Sequence, residues 1–182
     1  MKLRTYIIGL FLALGVTLPA LAQNSDYEGL YGGIRAGIGK INDSGTLNNR
    51  LFDNSDEYGV AGVLVGSRMR FSNTVIVGAE LDANYYSSVN DFRLGASVIA
   101  GFEFRDTDLL FGRIGYTSLQ RSGGADNLSG LLFGVGYEHI LSENVNIRLE
   151  YQNFSYDDAR ISADDITAYS GNEISAAAIF KF

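Results

Sequence analysis

The chain has 182 residues and no cysteine, which excludes disulfide cross-links and thiolate chemistry. Its 21 acidic against 14 basic residues give a formal net charge of −7, a balance that argues against nucleic acid and anionic lipid as partners. No composition shift or proline-rich linker divides it, since the single proline lies near the N-terminus, so one domain is the economical reading.

Lys2 and Arg4 precede an apolar run from Tyr6 to Leu18, which Pro19 breaks just before Ala20, Leu21 and Ala22. This is the layout of a secretory signal peptide spanning residues 1–22, cleaved after Ala22 to leave a domain of residues 23–182. The run is shorter than the roughly 20 residues a spanning helix needs, and nothing like it recurs. Export removes Lys2 and Arg4 but no acid, so the mature chain is more acidic still.

Downstream, segments of alternating apolar and polar or glycine positions follow one another, the period of a strand with two unlike faces. The first, Leu30 to Gly39, sets Leu30, Ile34, Ala36 and Ile38 against Tyr31, Gly33, Arg35 and Gly37. The second, Tyr58 to Arg70, sets Ala61, Val63, Val65 and Met69 against Leu64, Arg68 and Arg70, with a less clean phase. The third, Thr74 to Tyr85, has Val75, Val77, Ala79, Leu81, Ala83 and Tyr85 opposite Gly78, Glu80, Asp82 and Asn84. The fourth, Phe92 to Phe104, has an unbroken apolar face from Phe92 through Leu94, Ala96, Val98, Ala100 and Phe102 to Phe104, opposite Arg93, Gly95, Ser97, Gly101 and Glu103.

The fifth segment, Leu109 to Leu119, sets Leu110, Ile114 and Tyr116 against Arg113, Gly115 and Thr117. The sixth, Gly130 to His139, sets Leu131, Phe133, Val135 and Tyr137 against Gly134, Gly136 and Glu138. The seventh sets Val145, Ile147, Leu149 and Tyr151 against Asn146, Arg148, Glu150 and Gln152. The last ends the chain, with Ile174, Ala176, Ala178, Phe180 and Phe182 opposite Glu173, Ser175, Ala177, Ile179 and Lys181.

The links alternate between short and long. Residues 71–73, 105–108 and 141–144 are tight turns, whereas 40–57, 86–91, 120–128 and 156–170 are longer and polar. That pattern predicts an all-β, eight-stranded antiparallel up-and-down transmembrane β-barrel, with short turns at the periplasmic rim and four loops facing outward. Phe71, Phe104, Tyr137, Phe180 and Phe182 near the short-turn ends, and Tyr58, Tyr85, Phe92, Tyr116 and Tyr151 near the long-loop ends, fit aromatic girdles at two lipid interfaces. A soluble lipocalin-like barrel would alternate as well but turn its apolar stripe inward, and the two aromatic bands argue against it. No open edge is tolerated in hydrocarbon, so the last strand must close on the first.

Eight strands enclose a space that side chains fill. Arg35, Arg68, Arg93, Arg113, Arg148 and Lys181 are therefore expected inside with Glu80, Asp82, Glu103, Glu138 and Glu150, paired and hydrogen-bonded because an unpartnered buried charge costs several kcal/mol. The glycines on the same face make room for long arginine side chains. The lumen is then either a solid ion-pair network or a narrow conductance.

The stretches LYGGIRAGIG at 30–39, GRIGY at 112–116, GVGYEH at 134–139, NIRLEYQNF at 146–154 and the terminal AAAIFKF carry a resemblance. Together they resemble the small eight-stranded outer-membrane barrels related to OmpA and OmpX, in particular the porin-family outer membrane protein β-barrel domain of alphaproteobacterial surface antigens. The resemblance covers nearly the whole mature chain. It implies insertion by the barrel-assembly machinery, which reads a final strand ending in aromatic residues, here Phe180 and Phe182. No peptidoglycan-binding domain follows, so the anchoring role of two-domain OmpA-like proteins is not expected.

Barrels of this size include acyltransferases and lipid A deacylases, whose chemistry needs a base beside a nucleophile near the outer leaflet. The one histidine, His139, sits beside the turn holding Ser142 on the periplasmic side, where a rim role is the simpler reading. The acids Asp43, Asp53, Asp56 and Glu57, and Asp157, Asp158, Asp164 and Asp165, crowd two long links without the spacing of an EF-hand, and a solvated loop surface is the ordinary explanation. No catalytic, cofactor or metal residues are expected. The sequence predicts a monomer in the bacterial outer membrane, in contact with outer-membrane lipid and lipopolysaccharide, with loops 40–57, 86–91, 120–128 and 156–170 open to host or surface ligands. Its role would be structural and interactive, with a narrow porin as the alternative and an outer-leaflet lipid-modifying enzyme as the remote one.

Overall fold

A computed structural model describes residues 27–47, 50–87, 91–120, 128–160 and 166–182, with side chains left out of the description at 43–54, 157–160 and 166–169. The expected signal peptide and its cleavage site lie outside the described residues. The strands are β1 (Gly29–Leu47), β2 (Arg50–Arg70), β3 (Val75–Tyr86), β4 (Asp91–Arg105), β5 (Asp108–Gln120), β6 (Leu128–Ser142), β7 (Val145–Arg160) and β8 (Ile166–Lys181). Each pairs antiparallel with its neighbours in chain order, and β8 closes on β1 from Tyr31↔Lys181 to Gly45↔Thr167, so the sheet is a closed eight-stranded barrel without an edge in its wall. Among the described residues there is no helix long and apolar enough to cross a membrane, which says nothing against crossing by strands.

Alternation decides which way each residue faces. Leu30, Ile34, Ile38, Val63, Val65, Leu94, Val98, Ile114, Val135, Leu149 and Ile174 stand on the outer wall, while Arg35, Arg68, Arg93, Arg113 and Arg148 are buried inside. An apolar exterior around an ionic interior is the inverse of a soluble barrel and fits a hydrocarbon solvent. Phe71 N–H donates to Val75 O at 2.8 Å to close the first short turn, and the turns after β4 and β6 are equally tight. Tyr85 and Phe92 pack at 5.2 Å on the long-link side, and Phe104 and Tyr137 at 6.4 Å on the short-turn side, as two interfacial girdles require. Tyr58 departs from that scheme. It is only 4% exposed and points into the lumen, because Gly59 and not Tyr58 holds the outward position.

The strands run further than the alternation indicates. Residues 40–47 and 50–57 continue β1 and β2 down to Leu47↔Arg50, and β7 and β8 continue to Arg160↔Ile166, where loops were expected. By contrast, β2 meets β3 only from Val60↔Tyr86, and β6 meets β7 only up to Gly130↔Tyr156. A sheet of four strands, β7–β8–β1–β2, therefore projects beyond the level at which the other four end. Among the described residues, Arg50–Glu57 pair with β1 alone.

Candidate functional site

The lumen is filled in layers. At its centre five arginines and five carboxylates form one connected network. Arg68 donates through both Nη atoms to the two oxygens of Glu138 at 2.9 and 2.8 Å, and Arg148 Nε reaches Glu138 Oε2 at 2.9 Å. Arg148 Nη1 donates to Glu80 at 2.6 Å, and Arg113 sits between Glu80, Asp82 and Glu150 at 3.0, 3.2 and 3.0 Å. Arg93 lies 3.7 Å from Asp82 and 3.6 Å from Glu173, and Glu173 in turn binds Arg35. Neutral groups add to it: Asn146 donates to Glu138, Tyr31 OH to Glu80, Arg113 to Ser97, and Arg93 to Gln152. Equal numbers of opposite charges, each in contact with its counter-ion, offset part of the desolvation cost of burying ions.

Apolar layers close both ends. On the short-turn side Tyr27, Ile76, Ile99, Leu109 and Phe111 pack together, and on the long-link side Tyr58, Val60, Tyr86, Leu119, Leu128, Phe154 and Tyr156 do. Aromatic rings of these layers also face the ions, Arg148 lying 5.0 Å from the Phe111 ring centre and Arg93 5.1 Å from Phe154, while Arg68 lies 4.1 Å from Tyr31, which packs in a separate cluster with Leu64, Ala177 and Ile179. Tyr27 precedes β1 and reaches into the lumen from below, donating to the carbonyls of Thr107 at 2.7 Å and Glu138 at 3.1 Å. Burial, with the Glu138 carboxylate nearby, holds the Tyr27 phenol protonated well above its ordinary range.

Of the residues expected in the lumen, Arg35, Arg68, Glu80, Asp82, Arg93, Arg113, Glu138, Arg148 and Glu150 are brought together there. Glu103 and Lys181 are not. Glu103 binds Arg70 at 2.6 and 2.7 Å at the short-turn rim, with Glu28 and the Asn73 carbonyl on the same guanidinium, and Lys181 stands half-buried at that rim. Both have inward parity, but they lie within two residues of a strand end, where the interior opens to water. Glu173, on the charged stripe of the last strand, takes the place they were given. The glycines make room for more than arginines. A Cβ on Gly134 would meet Arg113 Cγ at 2.9 Å, but one on Gly136 would meet the Phe111 ring at 2.2 Å and one on Gly66 the Tyr31 ring at 2.4 Å.

His139 lies at the short-turn rim, where its Nδ1 is 2.8 Å from Asp108 Oδ1, an oxygen that also accepts from Tyr137 OH at 2.5 Å. Among the described residues no three His, Asp or Glu side chains are grouped to hold a metal. Asp164 and Asp165 lie outside those residues, as do the side chains of Asp43, Asp53, Asp157 and Asp158. At the end of the chain Phe182 N–H donates to Leu30 O at 3.0 Å, and its ring lies against Gly32, so the terminal aromatic is part of the β1–β8 seam.

Among solved structures, the chain is similar to Neisserial surface protein A, at 15% identity over 82% of this chain and 97% of that one, with a TM-score of 0.51. It is also similar to Ail, the attachment invasion locus protein of Yersinia pestis, at 17% identity over 84% and 99% with a TM-score of 0.38, and to the outer membrane enzyme PagL, at 12% identity over 79% and 99% with a TM-score of 0.47. At such identities the likeness is one of fold. A search of curated proteins finds no match. The family model described as the outer membrane protein beta-barrel domain matches residues 8–182, and with its closed wall, apolar exterior and ionic interior the chain belongs to that family and resides in the outer membrane.

Proposed function

We propose that this barrel acts through its outer surface and not through its lumen: it is a structural element of the envelope that presents the β7–β8–β1–β2 sheet to host or other surface ligands. The observation that carries this reading is the projection of those four strands past the rest of the wall, by about ten residues of β2, or roughly 30 Å of strand at ~3.3 Å each. A sheet of that reach is longer than crossing the membrane requires. The apolar layers across the lumen favour this reading over a porin, and the engagement of the one histidine by Asp108 on the short-turn side favours it over an enzyme. The chain works as a monomer without cofactor or catalysis. It is exported by cleavage after Ala22 and inserted by the barrel-assembly machinery reading Phe180 and Phe182.

Cells making the full chain are compared with cells making a chain trimmed of residues 43–54 and with cells lacking it, for adherence to epithelial monolayers and for sensitivity to detergent. Trimming is expected to abolish the adherence contributed by the protein and to leave detergent resistance intact, whereas loss of the whole chain lowers both. Adherence unchanged by trimming contradicts the surface reading. Deleting Phe182 is expected to lower the fraction of barrel that resists unfolding in cold detergent on a gel, and an undiminished fraction contradicts its role in assembly.

A further inference from the structure

Tyr27 and Glu28 belong to no strand, yet both are held at the short-turn mouth of the lumen. The wall begins at Gly29↔Arg68, and among the described residues the two before it have no register partner on β2 or β8. Gly29 turns them inward. Its φ of 104° lies in the left-handed region that a side chain makes costly, so the chain leaves the line of β1 at the residue type that bends there freely. Tyr27 then stands 2% exposed among Ile76, Ile99, Leu109 and Phe111, with its hydroxyl on the carbonyls of Thr107 and Glu138. Glu28 accepts from Arg70 Nε at 3.1 Å on β2, across the barrel from β6.

These anchors can be released without stranding a charge. When Glu28 leaves, Arg70 still donates to both Glu103 oxygens at 2.6 and 2.7 Å and to the Asn73 carbonyl at 2.6 Å. When the Tyr27 hydroxyl leaves, Thr107 O still accepts from Ile140 N–H at 3.0 Å. No sheet pairing is broken. Release therefore exposes one phenol ring and the apolar patch beneath it, whereas opening the wall breaks backbone ladders on both sides of a strand.

We propose that Tyr27 and Glu28 are a lid, hinged at Gly29, that closes the short-turn mouth of the lumen and opens while the wall stays folded. When it opens, water reaches Leu109, Ile99 and the Glu138 carbonyl from that side alone. The long-link layer of Tyr58, Tyr86, Phe154 and Tyr156 stays in place, so the open lid makes no through path. The space the ring leaves is a site for a small phenol, with apolar walls and two carbonyl acceptors for the hydroxyl. The lid is independent of whatever the projecting sheet binds, so either reading can fail alone.

The chain has no cysteine, so a single introduced thiol reports on access. Leu109→Cys, with Ile99→Cys as a second position, places it beneath the lid, and Leu128→Cys places it in the long-link layer. Each is made in the unaltered barrel and combined with Tyr27→Ala or Gly29→Ala, folded in detergent and verified by gel mobility before boiling. Labelling by a charged methanethiosulfonate is then timed. Tyr27→Ala is expected to speed labelling beneath the lid by roughly tenfold or more, the loss of at least one hydrogen bond. Gly29→Ala is expected to speed it as well, and neither change to alter labelling at Leu128→Cys. Added p-cresol is expected to slow labelling again in Tyr27→Ala, and toluene, which lacks the hydroxyl, to do so less. With the lid unaltered, the rate beneath it is expected to change little in low urea, the mark of local opening. Labelling beneath the lid that Tyr27→Ala leaves unchanged overturns the proposal. So does an equal rise at Leu128→Cys, or a rate that climbs with urea as steeply as unfolding, since either makes Tyr27 an ordinary part of a core that loosens as a whole.

Discussion

Glu138 holds more of the lumen together than its position on one strand announces. Its carboxylate accepts from both Nη atoms of Arg68, from Arg148 and from Asn146, and its backbone carbonyl accepts from Tyr27. Replacing it with Ala leaves Arg68 without its carboxylate partner, so Glu138→Ala is expected to lower stability by about 3–5 kcal/mol in urea unfolding from micelles. Arg68→Leu combined with Glu138→Leu is expected to cost less than the sum of the single changes, and strict additivity contradicts the pairing. Gly136→Val pushes a side chain into Phe111 and is expected to cost about 1–3 kcal/mol by the same measurement. Parity along each strand was enough to pick out Arg35, Arg68, Arg93, Arg113 and Arg148. Depth was not legible, because it depends on strand tilt and register with neighbours: Glu103 and Glu173 look alike in the alternation, yet one ends at the rim and the other between Arg35 and Arg93. Tyr27 gave no signal at all, since it lies before the first alternating segment.

At the scale of the strand, the alternation works because two different solvents touch the two faces. Where hydrocarbon lies on one side, as from Phe92 to Phe104, the period of two is unbroken and β4 extends only one residue further at each end. Where a strand runs on past its second neighbour, as Arg50–Glu57 do in pairing with β1 alone, the sequence lacks that alternation and reads as a polar loop. The projecting sheet was therefore invisible to the pattern that found the wall. Two consequences are measurable. Val98, outward in mid-β4, faces hydrocarbon, so Val98→Arg is expected to destabilise the barrel in lipid by about 2–4 kcal/mol, and no loss would place that face elsewhere. Backbone amides of Arg50–Glu57 are expected to exchange with solvent faster than those of Val60–Met69, which have partners on both sides, and equal protection would contradict a one-sided projection.

At the scale of the whole molecule, the chain places its order inside and its variety outside. A neutral ionic core lies between two apolar layers, and the wall around it carries a four-stranded sheet beyond the level of the rest. The central claim is that nothing passes through the middle. Single-channel recording in a planar bilayer tests it most directly, with fully folded protein verified by its gel mobility before boiling. No unitary currents above the bare-membrane baseline are predicted, and reproducible unitary steps that a bulkier side chain at Gly136 or Gly66 reduces would contradict the account.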